Sequence, residues 1–372
     1  LPSVDHVYEP DEETPQTRVD QWRRKLLDLT KRNPLLNIKK RAAGFRIFCS
    51  DIARLEDRLS AEETFAFDSI ESLKTPGRSD IRFTAETGDS LKSEFVKSQL
   101  ENRKLVADCS TNDLEKQLIN LFRKSKTDLE EGGSNTLFLV LGTLRWREDS
   151  NSEVVYRAPL ILLPVTLKRS SAKARPRLTG QNGEDAVFNL TLIQMLKQDF
   201  EIDLSVFQND LPKDDSGIDC KHIWSTVRSR ITNTPGFEVV EELFLGTFSF
   251  AKYLMWKDLS DRLDQLRESV LVDHLVERPN QNYPTTADFI NADDVDDQIE
   301  PSEFFAPLNA DSSQMIAIEA SSRGVDFVLE GPPGTGKSET IANMIAHNIA
   351  IGKKVLFVSE KMVALDVVYS RL

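Results

Sequence analysis

The stretch VDFVLEGPPGTGKSETIANMIAHNIA, residues 325–350, decides the fold class of the C-terminal part of this chain. Its glycine-rich centre fits the pattern G-x-x-x-x-G-K-[S/T], carried by Gly331, Gly336, Lys337 and Ser338. An apolar strand predicted over Phe327–Leu329 enters the loop, and an apolar-periodic helix predicted over 337–350 leaves it. Because a phosphate-binding loop requires that order of strand, loop and helix, the sequence predicts an α/β nucleotide-binding lobe here.

Each residue of the loop suits a polyphosphate ligand. Glycines at 331, 334 and 336 let main-chain N–H groups approach phosphate oxygens, and the helix points its positive end at the same place. Lys337 supplies a cation to the β- and γ-phosphates, and the Ser338 hydroxyl is placed to hold Mg2+. We therefore expect ATP and Mg2+ as cofactors, with Lys337 and Ser338 as catalytic residues. The alternative is a glycine-rich turn with an incidental lysine, which the flanking strand and helix disfavour. The predicted nucleotide-binding set is Gln314, Gly331, Gly334, Thr335, Gly336, Lys337, Ser338 and Glu339.

Two features beside the loop narrow the class of site. Gln314 lies 17 residues before Gly331 on a predicted helix, where its amide could read the adenine edge through paired hydrogen bonds. VLFVSEKM, residues 355–362, predicts a second strand that ends at Ser359, Glu360 and Lys361. The carboxyl ends of strands in such sheets face the ligand, so these polar groups could touch a nucleic-acid backbone. The alternative for Gln314 is an exposed helix residue without a role in binding.

Composition and charge exclude several classes of protein. The chain has 372 residues, with 47 Lys and Arg against 60 Asp and Glu, and a net charge of −13, which argues against nonspecific adhesion of the whole surface to nucleic acid. No apolar run reaches the roughly 18 residues of a membrane span, and no secretory signal is present, so no membrane partner is expected. The three cysteines form no CxxC pair and the histidines are scattered, which predicts a cytoplasmic protein without a zinc site.

One stretch is basic despite the acidic total. Residues 21–48 contain nine cations against the single anion Asp28, which makes a local nucleic-acid groove possible. A solvated helix face is the alternative, and charge runs usually are that. The nucleic-acid candidates are Arg23, Arg24, Lys168, Arg169, Ser359 and Lys361.

Patterning predicts four segments, which are an acidic tail over 1–16, an α+β region over 17–277, an acidic linker over 278–304 and an α/β lobe over 305–372. The linker could instead be a loop packed over the next domain. In the α+β region, helical spacing from Val19 stops at Asn33–Pro34, and a second helix is predicted over 112–130, with Asn112 and Glu115 resembling a capping pair. Thr136–Arg169 predicts a hairpin or three-strand meander with one face buried. The remaining predictions are helices over 190–199 and 260–276, and over 237–250 a strand pair or a strand entering a helix.

The chain resembles the superfamily 1 helicases, and among them the large bacterial helicase-like proteins with an N-terminal domain of unknown function ahead of the motor. The resemblance is carried by WRRKLLDLTKRNPLLN (22–37), LGTLRWRE (141–148), YRAPLILLPVTLKR (156–169), LGTFSFAKYLMWKDL (245–259), the Q motif around Gln314, GPPGTGKS (331–338) and VLFVSEKMVALDVVYSRL (355–372). The sequence departs from many relatives at Glu360-Lys361, where they have Pro-Thr or Pro-Ser.

The resemblance implies an ATP-dependent DNA or RNA helicase whose first RecA-like lobe begins in this chain and is incomplete. Because the chain starts at Leu1 and stops at Leu372 within a helical pattern, we expect it to be the N-terminal part of a longer protein. The acidic residues and arginines that complete hydrolysis, and the C-terminal helicase lobe, would then lie beyond Leu372, so this part alone is expected to be inactive. Nucleic acid, single- or double-stranded, is the implied partner, with DNA favoured over RNA. Two alternatives stay open: a regulatory or protein-interaction module of a P-loop ATPase switch that binds no nucleic acid, and an AAA+ remodelling ATPase, which Gln314 disfavours.

Overall fold

The computed structural model describes residues 15–39, 43–73, 85–149, 152–171, 173–181, 183–215, 217–283, 289–332 and 334–372. The chain forms two compact units. The first comprises Leu1–Leu129 with Asn135–Leu266, and the second comprises Glu130–Ser134 with Arg267–Leu372. Residues 1–14 of the predicted tail lie outside the described residues.

The first unit is a mixed α/β structure. Its elements in chain order are α1 (Pro15–Leu26), β1 (Gly44–Phe48), α2 (Ile52–Ser60), β2 (Ala66–Ser69), α3 (Ala85–Glu101), β3 (Lys104–Ala107), α4 (Thr111–Gly132), β4 (Leu137–Trp146), β5 (Tyr156–Lys168), β6 (Arg177–Gly180), β7 (Val187–Phe188), α5 (Leu190–Phe200), α6 (Cys220–Ile231), β8 (Glu238–Thr247), α7 (Ala251–Asp261) and α8 (Leu263–Leu266). In the described part of the chain these strands form one eight-stranded sheet, with the order β2-β3-β1-β8-β4-β5-β6 and β7 paired to β5. The pairs are antiparallel except for β2 with β3.

The sheet is covered on both faces at its centre. One face packs against α2, α4, α5 and α6 in the main hydrophobic core, and side chains such as Leu118 and Trp224 are almost fully buried there. The other face carries a smaller core formed by Leu35, Ile38, Phe138, Val140, Leu162, Phe244 and Phe248. Double coverage explains why β4 and β5 read as continuous apolar runs instead of alternating sequences. The predicted hairpin over Thr136–Arg169 is therefore confirmed as β4 and β5, but the expectation of one buried face is wrong.

The segment after α1 covers the second face of the sheet through backbone hydrogen bonds. Trp146 Nε1 donates to Leu36 O at 2.9 Å, and the buried Asn189 Nδ2 donates to Leu35 O at 2.5 Å. Ile38 N donates to Arg157 O at 2.6 Å. These three contacts hold residues 35–38 against β4, β5 and the cap of α5 without a strand, while the N–H groups of Leu35, Leu36 and Asn37 bond to Asn33.

Several predicted helices form with altered ends. The first ends at Leu26 instead of at Asn33, because Asp28 and Asn33 turn the chain: Thr30 N donates to Asp28 Oδ1, and Asn33 Nδ2 donates to Asp28 O. The second helix is confirmed as α4, but its cap is Ser110, whose hydroxyl accepts from Asp113 N, so the predicted capping pair is wrong by two residues. The helix over 190–199 is confirmed as α5, and β8 followed by α7 confirms a strand entering a helix.

The long helix predicted over 260–276 is wrong. Three separate elements cover it, namely the end of α7, the short α8, and α9 (Val270–Glu277) in the second unit. Ser269 precedes α9 in an extended conformation, which is the usual backbone geometry of an N-cap residue and breaks the helical run.

The second unit is helical in its described residues. After α9 it contains α10 (Val295–Gln298), α11 (Ser312–Ser322), α12 (Lys337–Ala350) and α13 (Met362–Tyr369). Ile290, Val295 and Ile299 form a small buried cluster with Phe304, Met315 and Ile316. A second cluster joins Ala342, Ile345 and Val368 to Leu308, Ile341 and Phe357. The segment 289–304 thus contributes buried apolar side chains to this unit.

Neither of the two strands predicted in the second unit forms a β-ladder among the described residues. Residues 325–330 and 353–359 have no regular secondary structure, and neither segment pairs with a strand among the residues that the structure describes. Several of their apolar side chains are exposed to solvent, namely Val328 by 84%, Leu356 by 87% and Val358 by 76%. A strand is defined by hydrogen bonds to a neighbour, so an apolar sequence without such a neighbour is not a strand. The prediction of a mixed α/β chain is confirmed. Among the described helices, none combines the length and apolar character that crossing a membrane requires.

Candidate functional site

The loop between Glu330 and α12 requires glycine at several of its positions. Gly334 and Gly336 have φ of +90° and +72°, values that favour glycine. A β-carbon at Gly331 would lie 2.7 Å from Thr335 Oγ1, and one at Gly336 would lie 2.7 Å from Gln314 Nε2. Thr335 folds inward, with its hydroxyl donating to Pro332 O at 2.9 Å. A side chain at Gly331 or Gly336 would therefore clash with Thr335 or Gln314, which pack closely against these glycines.

Lys337 reaches back across this loop. Its Cε lies 3.0 Å and its Nζ 3.9 Å from the position that a β-carbon would take on Gly331. The lysine is exposed, and no acidic side chain in the described part of the chain forms an ion pair with it. The side chain thus holds an uncompensated positive charge over a glycine-rich bend. An anion that enters the loop meets this charge without having to displace a carboxylate.

The first turn of α12 supplies further donors. Gly336 caps the helix with a left-handed backbone, and Glu339 N and Thr340 N already donate to Gly336 O at 2.8 and 2.9 Å. The N–H groups of Lys337 and Ser338 have no backbone acceptor among the described residues, as is usual at a helix start. N–H groups without an acceptor at a helix start, together with the helix dipole, are an arrangement that binds anions in many proteins.

Gln314 connects the start of α11 to the loop. Asp311 and Gln314 form a capping box, in which Gln314 N donates to Asp311 Oδ1 at 2.9 Å and Asp311 N donates to Gln314 Oε1 at 3.0 Å. Gln314 Nε2 also donates to Thr335 O at 3.1 Å. The structure therefore brings Gln314 into contact with the predicted loop while leaving the amide one further N–H and lone pair.

Two buried polar residues on α12, which the sequence analysis missed, fix the segment that precedes α11. Asn343 is fully buried, accepting from Leu308 N at 2.9 Å and donating to Leu308 O at 3.0 Å. His347 Nδ1 accepts from Phe305 N at 3.2 Å, and burial lowers the pKa of this imidazole below its ordinary value. Asn343 and His347 lie four residues apart on one face of the helix. A polar pair at this spacing, beside the apolar Ala342 and Ile345, was the sequence signal that could have indicated their buried position.

Glu339 takes part in a second contact around the loop. Its Oε1 lies 2.6 Å from Arg371 Nη1, which joins the first turn of α12 to the end of α13. Both side chains are partly exposed, so the pair contributes little to stability by itself. Its geometric effect is to keep the Glu339 carboxylate directed at an arginine.

Two nucleic-acid candidates of the first unit, Arg23 and Arg169, form local contacts. Arg23 Nη1 lies 3.4 Å from Asp20 Oδ1, and Arg169 Nε donates to Ala174 O at 2.7 Å. Lys168 is an exposed residue at the end of β5, opposite Arg177. The side chain of Arg24 lies outside the described residues. The structure places these candidates on separate elements instead of in one cluster.

Ser359 and Lys361 lie in the second unit, immediately before α13. Ser359 Oγ accepts from Lys361 N at 3.4 Å, and Lys361 occupies the N-cap position of the helix. Within the described ranges, His, Cys, Asp and Glu side chains form no cluster of three that could hold a metal ion. A divalent ion at the loop would therefore depend on Ser338 together with oxygen atoms of the ligand.

The chain is similar in sequence to one protein family and to two curated proteins. A family described as a protein of unknown function, DUF4011, matches residues 25–196. An uncharacterized ATP-dependent helicase of Mycoplasma genitalium is 30% identical over 280 residues, and its homolog in Mycoplasma pneumoniae is 30% identical over 282. The chain is similar to ATP-dependent helicases. Each alignment covers 69% of this chain and 24% of the relative, so the chain spans about a quarter of the length of these curated relatives. No solved structure matches it.

These similarities bear on the resemblance drawn from the motifs. They support a helicase-like relationship, and the DUF4011 match falls within the region predicted to be an N-terminal domain of unknown function.

Proposed function

We propose that this chain is the N-terminal part of an ATP-dependent superfamily 1 helicase or translocase that acts on nucleic acid. The observation that carries the proposal is the glycine-rich loop around Gly331, over which Lys337 extends an ammonium that forms no ion pair with any described acidic side chain. The similarity to ATP-dependent helicases supports the same function. In this proposal the second unit is the beginning of a RecA-like lobe.

The residues present fit ATP with Mg2+. Main-chain N–H groups of Lys337 and Ser338 and the Lys337 ammonium would hold the phosphates, and the Ser338 hydroxyl would hold the metal ion, which neutralises phosphate charge when bound. Gln314, held against Thr335 O, is positioned to present its remaining amide valences to an adenine edge. Gly331, Gly334 and Gly336 keep the approach free of side chains.

Hydrolysis is proposed for the whole protein and not for this chain alone. Phosphoryl transfer needs a group that orients the attacking water and cations that stabilise the developing charge. Glu339 is the carboxylate on the first turn of α12, and its pairing with Arg371 removes it from that role. We propose that a C-terminal lobe supplies the missing groups and that single- or double-stranded nucleic acid, DNA in preference to RNA, is the partner.

Binding of ATP tests the proposal directly. Equilibrium titration of the chain with a fluorescent ATP analogue and Mg2+ should give saturable binding, and Lys337→Ala should weaken it about tenfold or more, because hydrogen bonds to charged groups contribute about 1.5–3 kcal/mol. Lys354→Ala is the matched control, since Lys354 is also an exposed lysine of the second unit. Equal losses in the two variants, or no binding by the native chain, would refute the phosphate site.

A further inference from the structure

A pocket of about 260 Å³ lies in the first unit, beside the segment that covers the second face of the sheet. Its wall is formed by Arg32, Asn37, Ile38, Lys39, Phe244 and Phe248, among other residues. The volume is slightly below the roughly 300 Å³ at which pockets for drug-sized ligands begin, so it suits a single ring system. The glycine-rich loop of the second unit takes no part in it, whereas Arg32 and Lys39 belong to the basic stretch 21–48.

The floor of the pocket is apolar and aromatic. Phe244 and Phe248 meet edge to face with ring centroids 6.4 Å apart, and Ile38 is buried beside them. The floor is also held in place, because Ile38 N donates to Arg157 O on β5 at 2.6 Å. A flat aromatic group entering the pocket would meet a preformed surface and would need little rearrangement of the protein.

The mouth of the pocket is positively charged. Arg32 and Lys39 are exposed, and neither side chain forms an ion pair within the part of the chain that the structure describes. Other cations of the same basic stretch are already paired: Lys31 contacts Glu148, and Arg46 Nη2 lies 2.9 Å from Glu242 Oε2. Within this stretch, Arg32 and Lys39 are therefore available to a ligand, whereas Lys31 and Arg46 already form ion pairs.

The carboxylate nearest along β8 does not cancel this charge. Glu242 precedes Phe244 by two residues on the same face of the strand, and it is buried between Arg46 and Arg157, whose Nη2 lies 2.8 Å from Glu242 Oε1. Arg46 Nη1 also lies 3.7 Å from Asp108 Oδ2, so these two arginines are balanced by two carboxylates. The positive charge at the pocket is that of Arg32 and Lys39.

We propose that the pocket binds one nucleotide of a single-stranded nucleic acid, with the base against Phe244 and Phe248 and the flanking phosphates at Arg32 and Lys39. Aromatic contact with a base and cationic contact with the backbone are the two interactions by which proteins hold single strands without sequence preference. Asn37, whose Nδ2 donates to Lys31 O at 3.1 Å, can accept with its amide oxygen from a base N–H group, such as N3–H of thymine. The inference rests on the proposed function, which makes nucleic acid the partner.

The test compares three protein variants with two ligands. Fluorescence anisotropy measures binding of a labelled oligothymidylate and of an abasic strand with the same phosphates. The charge variant is Arg32→Gln/Lys39→Gln, and its control is Lys116→Gln/Lys221→Gln, which removes equal charge at two exposed lysines of the first unit. The third variant, Ala43→Phe, places a ring at the exposed pocket-lining Ala43 and fills the pocket without changing charge.

The expected results distinguish the contribution of the base to affinity from that of the phosphate backbone. The native chain should bind oligothymidylate about tenfold more tightly than the abasic strand. Arg32→Gln/Lys39→Gln should lose tenfold or more and lower the slope of log affinity against log salt by about 1.4, since each phosphate contact contributes about 0.7 on single strands. Ala43→Phe should abolish the preference for bases and keep the salt slope, and the control should change affinity less than twofold.

Three outcomes would overturn the inference: equal binding of the two strands by the native chain, equal losses in the charge variant and its control, or an acidic Phe-containing peptide binding more tightly than oligothymidylate. The last result would assign the pocket to a protein partner. If the chain binds ATP through Lys337 but binds no oligonucleotide, the pocket inference fails while the phosphate site stands.

Discussion

Replacing Asn343 with alanine should weaken the contact between α12 and the segment that precedes α11. Asn343 is 0% exposed and contacts both backbone polar groups of Leu308 through one side-chain amide. Alanine keeps the helix, since it has the highest helix propensity, but removes both hydrogen bonds. The Leu308 N–H and C=O are then left without partners at a partly buried position.

The expected magnitude follows from those two bonds. Each net hydrogen bond contributes about 0.5–1.5 kcal/mol, and leaving a buried partner unsatisfied costs about 1–3 kcal/mol, so a total of about 2–4 kcal/mol is expected. Since 1.4 kcal/mol is a factor of ten, local opening should become about 30-fold to several hundred-fold more frequent. The effect should include the Leu308 amide itself and the amides of α12.

Hydrogen–deuterium exchange with peptide resolution measures this locally. Peptides covering 304–312 and 337–350 should exchange faster in Asn343→Ala, while tryptophan fluorescence should report an unchanged first unit, because Trp22, Trp146, Trp224 and Trp256 all lie there. Asn348→Ala is the matched control on the same helix. Asn348 Nδ2 donates to Ser321 Oγ and Met344 O, so its loss should leave the 304–312 peptides unaffected.

Two results would refute this reasoning. Unchanged exchange over 304–312 in Asn343→Ala would mean that the amide does not hold the segment. The same acceleration in Asn348→Ala would mean that α12 is simply destabilised as a helix, without a specific connection to Leu308.

Two further predictions concern pH and packing. Burial lowers the pKa of His347, so its stabilising contribution is complete above the unfolded value near 6.5 and is lost as pH falls through the folded pKa. The protection factor of the Phe305 amide, which relates its exchange rate to the intrinsic rate at the same pH, should therefore fall on acidification, and His347→Gln should flatten that dependence. Gly142→Ala should lower the free energy of unfolding by about 2–4 kcal/mol in urea titrations, because φ is +81° and the new methyl group would lie 2.5 Å from Trp224 Nε1. Gly183→Ala shares the left-handed backbone at +79° without a neighbour within 4 Å, so a loss as large as that of Gly142→Ala would contradict the packing argument.

The sequence predicted local elements better than their partners. Helix α4, helix α5 and the β4–β5 hairpin follow from periodicity within a single segment, and they formed near the expected bounds. The end of α1 depended on side-chain bonds from Asp28 and Asn33, which compete with the helix and are not visible as periodicity. Residues 325–330 and 353–359 have strand composition, but composition cannot show whether a neighbouring strand is present.

In the candidate site, too, local features were predictable from the sequence and tertiary contacts were not. The loop residues were predictable because the spacing of Gly331, Gly336 and Lys337 is a local pattern, and the structure brings Gln314 into contact with them. The basic stretch of 21–48 was visible as composition. Only tertiary contacts distinguish Arg46, which forms an ion pair with Glu242, from Arg32, which lines the pocket and forms no ion pair among the described residues. The roles of these residues in binding remain predictions for the experiments above.

Residues 325–330 and 353–359 also determine how the protein must be handled. Neither segment has a ladder partner among the described residues, and the exposed Val328, Leu356 and Val358 provide an apolar surface that favours association between molecules. Self-association through this surface grows with protein concentration, whereas the net charge of −13 opposes it through repulsion that added salt weakens. Dilute samples at low ionic strength are therefore the conditions under which single molecules of this chain are best observed.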